Sequence, residues 1–173
     1  MKIDAAGRDI ELILSDVDGT LTDGSIIYDN QGIETKAFHI HDGLGIKLWQ
    51  QAGFSFGLLT ARSSHVVKIR AAELGVKILR QGFEDKLSAA KQVIDQLGLE
   101  PSQVCYIGDD LPDLPVIRYV RLGVAVADAV PEVREAAQVT TRLSGGRGAV
   151  REVVEALLKS KQRWADIIRK FTN

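Results

Sequence analysis

Two aspartates spaced i, i+2, Asp16 and Asp18, follow the apolar run Leu12-Ile13-Leu14 and precede Gly19. An apolar run this short, bounded by a Gly-containing turn, reads as a buried strand of a parallel sheet. The two acids then sit at its carboxyl end, where open α/β sheets bind their ligands. Two close carboxylates repel each other, and a cation between them keeps Asp16 ionised. Mg²⁺ suits such a site, because it prefers oxygen ligands and keeps positions for water and phosphate. Taken alone, the pair could equally be turn-capping aspartates.

Other groups fall at corresponding places. Thr60 ends the run Phe54 to Leu59, and Asp109 and Asp110 follow the run Val104 to Ile107 and Gly108. Lys86 lies in the first turn of a helix that opens at Gly82 to Asp85. A lysine there opposes the helix dipole, which points to an anionic partner. Strand ends of one polarity share an edge of a parallel sheet, so these groups can converge. Together they could serve phosphoryl transfer. A phosphate monoester needs cationic and hydrogen-bonding partners for its equatorial oxygens, and Mg²⁺, a lysine, a hydroxyl and backbone N–H groups supply them. One carboxylate can attack phosphorus and form an aspartyl-phosphate. The other can protonate the leaving alkoxide and later activate water. Each piece singly has a structural reading: Thr60 a strand-end cap, Lys86 a solvated helix residue, Asp109 and Asp110 a turn.

The elements that must carry these groups alternate. Runs at Phe54–Leu59, Val76–Leu79, Val104–Ile107, Leu122–Val126 and Val139–Thr141 read as strands. Between them lie helices after Gly43 to about Ala52, after Ser64 to Leu74, from an opening at Gly82–Asp85 on to Leu97, and from Leu111 to Val120. In the third of these, Leu87, Ala90, Ile94 and Leu97 align on one face. The pattern predicts an α/β fold, a three-layer α/β/α arrangement of one parallel sheet covered on both faces. Ser25–Tyr28 and Glu34–Phe38 flank turn residues and predict a β-hairpin over 25–38. Ser144-Gly145-Gly146-Arg147-Gly148 reads as a flexible link into a helical tail at about 148–171, either one long helix or two abutting ones.

The 173 residues suffice for one domain with a sizeable core but not two. With 22 basic and 23 acidic residues, net charge is near zero, which argues against a nucleic-acid or membrane-surface role. No run approaches a membrane span, and Met1 to Glu11 lacks a signal-type apolar core, so a cytoplasmic location is expected. Cys105, the only cysteine, lies in an apolar segment and reads as a buried hydrophobe.

The set Asp16-Val17-Asp18-Gly19-Thr20, Thr60, Lys86 and Gly108-Asp109-Asp110 resembles the four-motif signature of the haloacid dehalogenase superfamily of phosphatases. Leu21-Thr22-Asp23-Gly24, His41-Asp42-Gly43-Leu44-Gly45, Gln81-Gly82, Leu111-Pro112-Asp113-Leu114-Pro115 and Gly145-Gly146-Arg147-Gly148 extend the likeness. They are similar to the 3-deoxy-D-manno-octulosonate 8-phosphate phosphatases, from which the chain departs at Thr20 and His41. The resemblance implies Asp16 as nucleophile and Asp18 as general acid/base. It implies Thr60 and Lys86 on the phosphoryl group, and Mg²⁺ held by Asp16, the Asp18 carbonyl and Asp109, with Asp110 and Asp113 in support. It also implies a small sugar-acid phosphate as substrate, contacted by Arg62, and a homotetramer. A nine-carbon sialic-acid-type 9-phosphate and a catalytically silent oligomerisation module are the competing readings.

Spacing adds one expectation. The intervals Asp18–Thr60 and Thr60–Lys86 leave no room for a cap domain, so a single subunit leaves the site open to water. A neighbouring chain could close it. The hairpin is the natural interface element, since an isolated two-stranded hairpin is marginal in water and hairpins from several chains could join into a barrel. Arg147, in a passage expected to be mobile enough to reach a neighbour's site, is a good carboxylate or phosphate ligand. His39 and His41 are expected on a site wall or interface, not on hard Mg²⁺.

Overall fold

The strand residues Leu12 to Ser15 have no solvent-facing side, and all four are buried. The computed structural model describes residue 3 and residues 5–172. In chain order its strands and helices are β1 (Leu12–Ser15), β2 (Ile27–Tyr28), β3 (Glu34–Thr35), α1 (Ile40–Gln51), β4 (Ser55–Thr60), α2 (His65–Leu74), β5 (Ile78–Gln81), α3 (Lys86–Gln96), β6 (Val104–Gly108), α4 (Leu114–Tyr119), β7 (Leu122–Ala125), α5 (Pro131–Ala136), β8 (Val139–Thr140), α6 (Ala149–Ser160) and α7 (Trp164–Thr172). Six strands form one parallel sheet in the order β5-β4-β1-β6-β7-β8. Helices α1, α2 and α6 pack together, as do α3, α4 and α5. The architecture is the expected three-layer α/β/α sheet.

Register positions the site. Ser15 lies opposite Leu58 of β4 and Ile107 of β6, and the Asp16 N–H donates to the Ile107 carbonyl at 2.9 Å. The residues that end these three neighbouring strands therefore emerge at one edge. The chain leaves β1 on one side through β4 and β5, then returns to its other side through β6. The crevice between β1 and β6 is thus the switch point at which such sheets bind ligands.

Several boundaries moved, for identifiable reasons. The fifth strand starts at Ile78, not Val76, because Gly75 (φ +70°) and the Val76 N–H finish the α2 C-terminus on the Ala72 and Ala71 carbonyls. The buried face of α3 is Lys86, Ala89, Ala90, Val93 and Ile94, whereas Leu97 is exposed. Helix α5, started by Pro131 and pinned by buried Val133, was not anticipated. The C-terminal stretch is two helices: Gln162, at φ +59°, breaks it between α6 and α7. The hairpin exists but pairs only two residues per strand, Ile27 with Thr35 and Tyr28 with Glu34.

The 144–148 passage is not the loose link expected. The Gly145 N–H donates to Asp128 at 2.9 Å and the Gly146 N–H to the Thr20 carbonyl at 3.0 Å. A Cβ at Gly145 would lie 1.7 Å from the Gly19 carbonyl oxygen. Only glycine permits this approach, and it presses the passage against the turn that carries Asp18. Buried Asp42 of α1 fastens its other end, accepting from the Gly148 N–H at 3.2 Å and the Arg151 N–H at 2.7 Å.

Candidate active site

Asp16 is buried just beyond β1, fixed by the β6 ladder. Its Oδ1 lies 2.9 Å from the Lys86 ammonium. Lys86 opens α3 under the N-cap Asp85 and is itself buried. The same ammonium donates to Asp113 at 2.6 Å. Asp113 is fully buried and saturated. Its Oδ1 also accepts from the Tyr106 hydroxyl at 2.6 Å, and its Oδ2 takes the backbone N–H groups of Asp109 at 2.9 Å and Asp110 at 3.2 Å. One acid thus anchors both the lysine and the turn after β6. Gly108 must be glycine for this, because a Cβ there would sit 2.5 Å from the Asp113 carboxyl.

Asp109 accepts from the Thr20 hydroxyl at 3.0 Å. Asp16, Asp109 and Asp113 each place a carboxylate oxygen within 4.8 Å of the others. Three acids here face one ammonium. Burial pushes the Asp16 carboxyl well above the usual carboxylate range; Asp113 adds to this and Lys86 opposes it. Burial, then the charge of Asp113, holds Asp109 up at about 6. Burial works against the Lys86 ammonium, yet Asp16 and Asp113 outweigh it and raise its pKa.

This cluster fits a hard divalent cation. The donors are all oxygen, the local charge is negative, and the raised carboxyls mark a cost that a cation would relieve. With Asp113 already saturated by four donors, Asp16 and Asp109 are the carboxylates free to take it.

Asp18, Thr60 and Arg62 lie at the adjoining rim. One oxygen of Asp18 accepts from the Thr60 hydroxyl at 3.4 Å, and the other is paired with the Lys36 ammonium. Lys36 also lies 3.2 Å from Glu34. Glu34 accepts in turn from Arg62 at 3.0 Å and from the Ser64 hydroxyl at 2.5 Å, while Arg62 donates to the Tyr28 hydroxyl at 3.0 Å. The Ser64 hydroxyl first, then Arg62 and Lys36, hold the Glu34 carboxyl down at about 2 despite partial burial.

The remaining expected residues lie further out. Asp110 is exposed and its carboxylate caps the following turn, accepting from the Leu111 N–H at 2.8 Å. Arg147 is exposed, 3.6 Å from Asp23, and borders a cleft of about 190 Å³ with His41, Arg142 and Arg151. The His39 ring accepts from the His41 N–H at 3.3 Å and caps α1. Cys105 is buried, and burial pushes its thiol up. A depression of about 600 Å³, lined by Phe54, Ser55 and Ile78, lies where β4 and β5 begin, at the opposite edge from Asp16. Reading the sequence did not single out Lys36, Glu34, Tyr106 or Thr20 as site residues. Lys36 and Glu34 stand two apart on the hairpin and so share a face, the one signal available for them.

A parallel sheet with acids and a threonine at its strand ends, and a lysine opening the helix after β5, defines the class, a haloacid dehalogenase-like hydrolase. The family model described as haloacid dehalogenase-like hydrolase matches residues 76–153. The 3-deoxy-D-manno-octulosonate 8-phosphate phosphatase of Escherichia coli (strain K12) is 44% identical over 154 residues, covering 89% of this chain and 82% of the relative. The crystal structure of the Moraxella catarrhalis phosphatase of that name, in complex with magnesium ion, phosphate ion and KDO, superposes with a TM-score of 0.94 at 43% identity, over 96% of this chain and 95% of that one. The cobalt-bound deoxy-D-mannose-octulosonate 8-phosphate phosphatase of Haemophilus influenzae gives 0.92 at 35% identity, over 97% and 99%. The chain belongs to the 3-deoxy-D-manno-octulosonate 8-phosphate phosphatase family, and it is a phosphomonoesterase.

Proposed function

We propose that this chain is a Mg²⁺-dependent phosphatase that hydrolyses 3-deoxy-D-manno-octulosonate 8-phosphate to the free sugar acid and phosphate. The observation that carries the reading is Lys86, buried between Asp16 and Asp113 beside the carboxylate of Asp109. Relatives bearing this name, and one solved with magnesium, phosphate and KDO, support it. They lend nothing to a nine-carbon 9-phosphate or a silent module.

Asp16 is the nucleophile. Lys86 holds its Oδ1, which leaves the other oxygen to attack phosphorus. The bond to the alkoxide breaks as Asp18 delivers a proton to it. Water then attacks the aspartyl-phosphate while Asp18 takes its proton, and the bond to Asp16 breaks, restoring the carboxylate. Thr60 and Lys86 hold phosphoryl oxygens. Mg²⁺, taken by Asp16, Asp109 and the Asp18 carbonyl, would neutralise charge on the phosphoryl group. Asp113 keeps Lys86 and the 109–110 turn in place, and Asp110 caps that turn. Arg62 meets the sugar-acid carboxylate, and Arg147 adds a cation at the rim.

The chain acts as one domain, in the cytoplasm, as a homotetramer joined through the hairpin. Its exposed Ile26, Ile27, Tyr28 and Ile33 support that interface. Among the described residues no helix is long and apolar enough to cross a membrane.

The test is phosphate release from the sugar-acid phosphate with and without Mg²⁺. Activity should require the ion and vanish in a folded Asp16→Asn variant. Turnover near wild type in that variant removes Asp16 as nucleophile.

A further inference from the structure

We propose that Lys36 is a positioning residue for Asp18, reaching from the hairpin to fix which carboxylate oxygen of Asp18 carries the proton. The inference rests on the phosphatase reading above and adds a part to it.

Lys36 lies just past β3, between the exposed Thr35 and Ala37, yet its side chain is 1% exposed. Its ammonium has two anionic partners, Asp18 Oδ1 and Glu34 Oε1. Glu34 is a fixed post: Arg62, Ser64 and Lys36 all hold it. Lys36 hangs from that post and engages one oxygen of Asp18. The other oxygen faces Thr60 at 3.4 Å, on the side where β4 ends and the phosphoryl group would lie.

Stability does not account for this arrangement. Asp18 keeps 22% of its side chain in solvent and can be hydrated without a partner. Burying an ammonium is costly, and an apolar side chain of similar volume often serves a fold as well. Proton transfer in both half-reactions, by contrast, needs a carboxylate held within hydrogen-bond reach of the reacting oxygen. Among the described residues the Asp18 side chain has no other strong fastening, since the Thr60 contact is long. With Oδ1 occupied by Lys36, Oδ2 is left to donate to the alkoxide and then to accept from water.

A comparison of leaving groups isolates the role. The sugar phosphate leaves as an alkoxide and needs the proton; p-nitrophenyl phosphate leaves as a stable phenolate and does not. In Lys36→Met, kcat on the sugar phosphate should fall about 10- to 100-fold, part of the ~10²–10⁴ that positioned proton transfer contributes, with KM within about threefold. The pre-steady-state burst of nitrophenolate, one per site, should keep its rate, and the later turnover should slow. Lys36→Arg, which keeps the cation, should lie nearer to wild type. Unchanged kcat on the sugar phosphate, a rise in KM alone, or a burst slowed in parallel overturns the proposal. If Lys36→Met does not fold, Glu34→Gln decides, since it loosens the post while leaving Lys36. It should show the same split, at about three- to tenfold, and an unchanged kcat there overturns the proposal. Wild-type protein with neither burst nor phosphate release counts against the phosphatase reading itself.

Discussion

The two halves of the site are built differently. At the phosphoryl half, Asp16, Lys86 and Asp113 are buried, each tied to a strand or helix end of the central sheet. At the hairpin half, Lys36, Glu34, Arg62 and Tyr28 join one another by charge and hydroxyl contacts, on strands only two residues long. The first half cannot move without disturbing the core. The second is fastened to the sheet by Lys36 on Asp18 and by Arg62 and Ser64, which follow β4, on Glu34. The first half rests on the buried core and the second on charge pairs nearer the surface, one of which, Lys36 to Asp18, joins the two.

The largest break in this contrast should come at Asp113. Asp113→Ala removes the acceptor of four donors and leaves Lys86 underpaired. Breaking a buried pair typically costs about 3–5 kcal/mol, which for a chain of this size lowers Tm by roughly 10 °C. Urea unfolding should show that loss, and phosphate release should fall at least about 100-fold. A variant that melts like wild type would mean that the core does not hold this half.

A smaller effect should follow from pH and metal. Burial and Asp113 hold Asp109 at about 6, and Asp16 is raised too. These acids bind protons more tightly when folded, so their contribution is present below the usual carboxylate range and is lost as pH rises through about 6. Tm of the metal-free protein should therefore fall as pH climbs past about 6. Mg²⁺ requires the ionised acids, so its stabilisation should be full at about pH 8, roughly 3 kcal/mol at a hundredfold excess over Kd, and shrink by about pH 5. A Mg²⁺-induced rise in Tm that is equal at both pH values would separate the ion from these carboxylates.

The smallest effect on stability belongs to the hairpin half. Arg62, 38% exposed, pairs with Glu34 near the surface, and such pairs are worth about 0–1 kcal/mol. Arg62→Met should shift Tm by no more than about 3 °C. It should raise KM for the sugar-acid phosphate about tenfold while leaving kcat within about threefold. A large loss of stability would erase the distinction between the two halves.

Much of the phosphoryl half is legible in the sequence. Acids, a hydroxyl and a lysine at strand and helix ends can be placed because the period of each element and the shared polarity of parallel strands fix where its end falls. Lys36 was not legible, because nothing local makes a hairpin lysine turn inward; a long-range pairing with Asp18 decides it. The 144–148 passage misled for a related reason. Its glycines look like a flexible link in sequence, yet Gly145 lets backbone meet backbone at Gly19, and Gly146 does the same at Thr22 and Asp23.

The sequence by itself determined the alternation of strands and helices, the absence of a cap, and the acids that end the first and sixth strands. Local periodicity and turn chemistry suffice for those, since each depends on residues close along the chain. Tertiary structure alone decided which four donors Asp113 gathers, that Gly145 presses on the Asp18 turn, and that a hairpin charge reaches Asp18. Each of those depends on groups far apart in the chain, whose distance only the packed sheet and its register set.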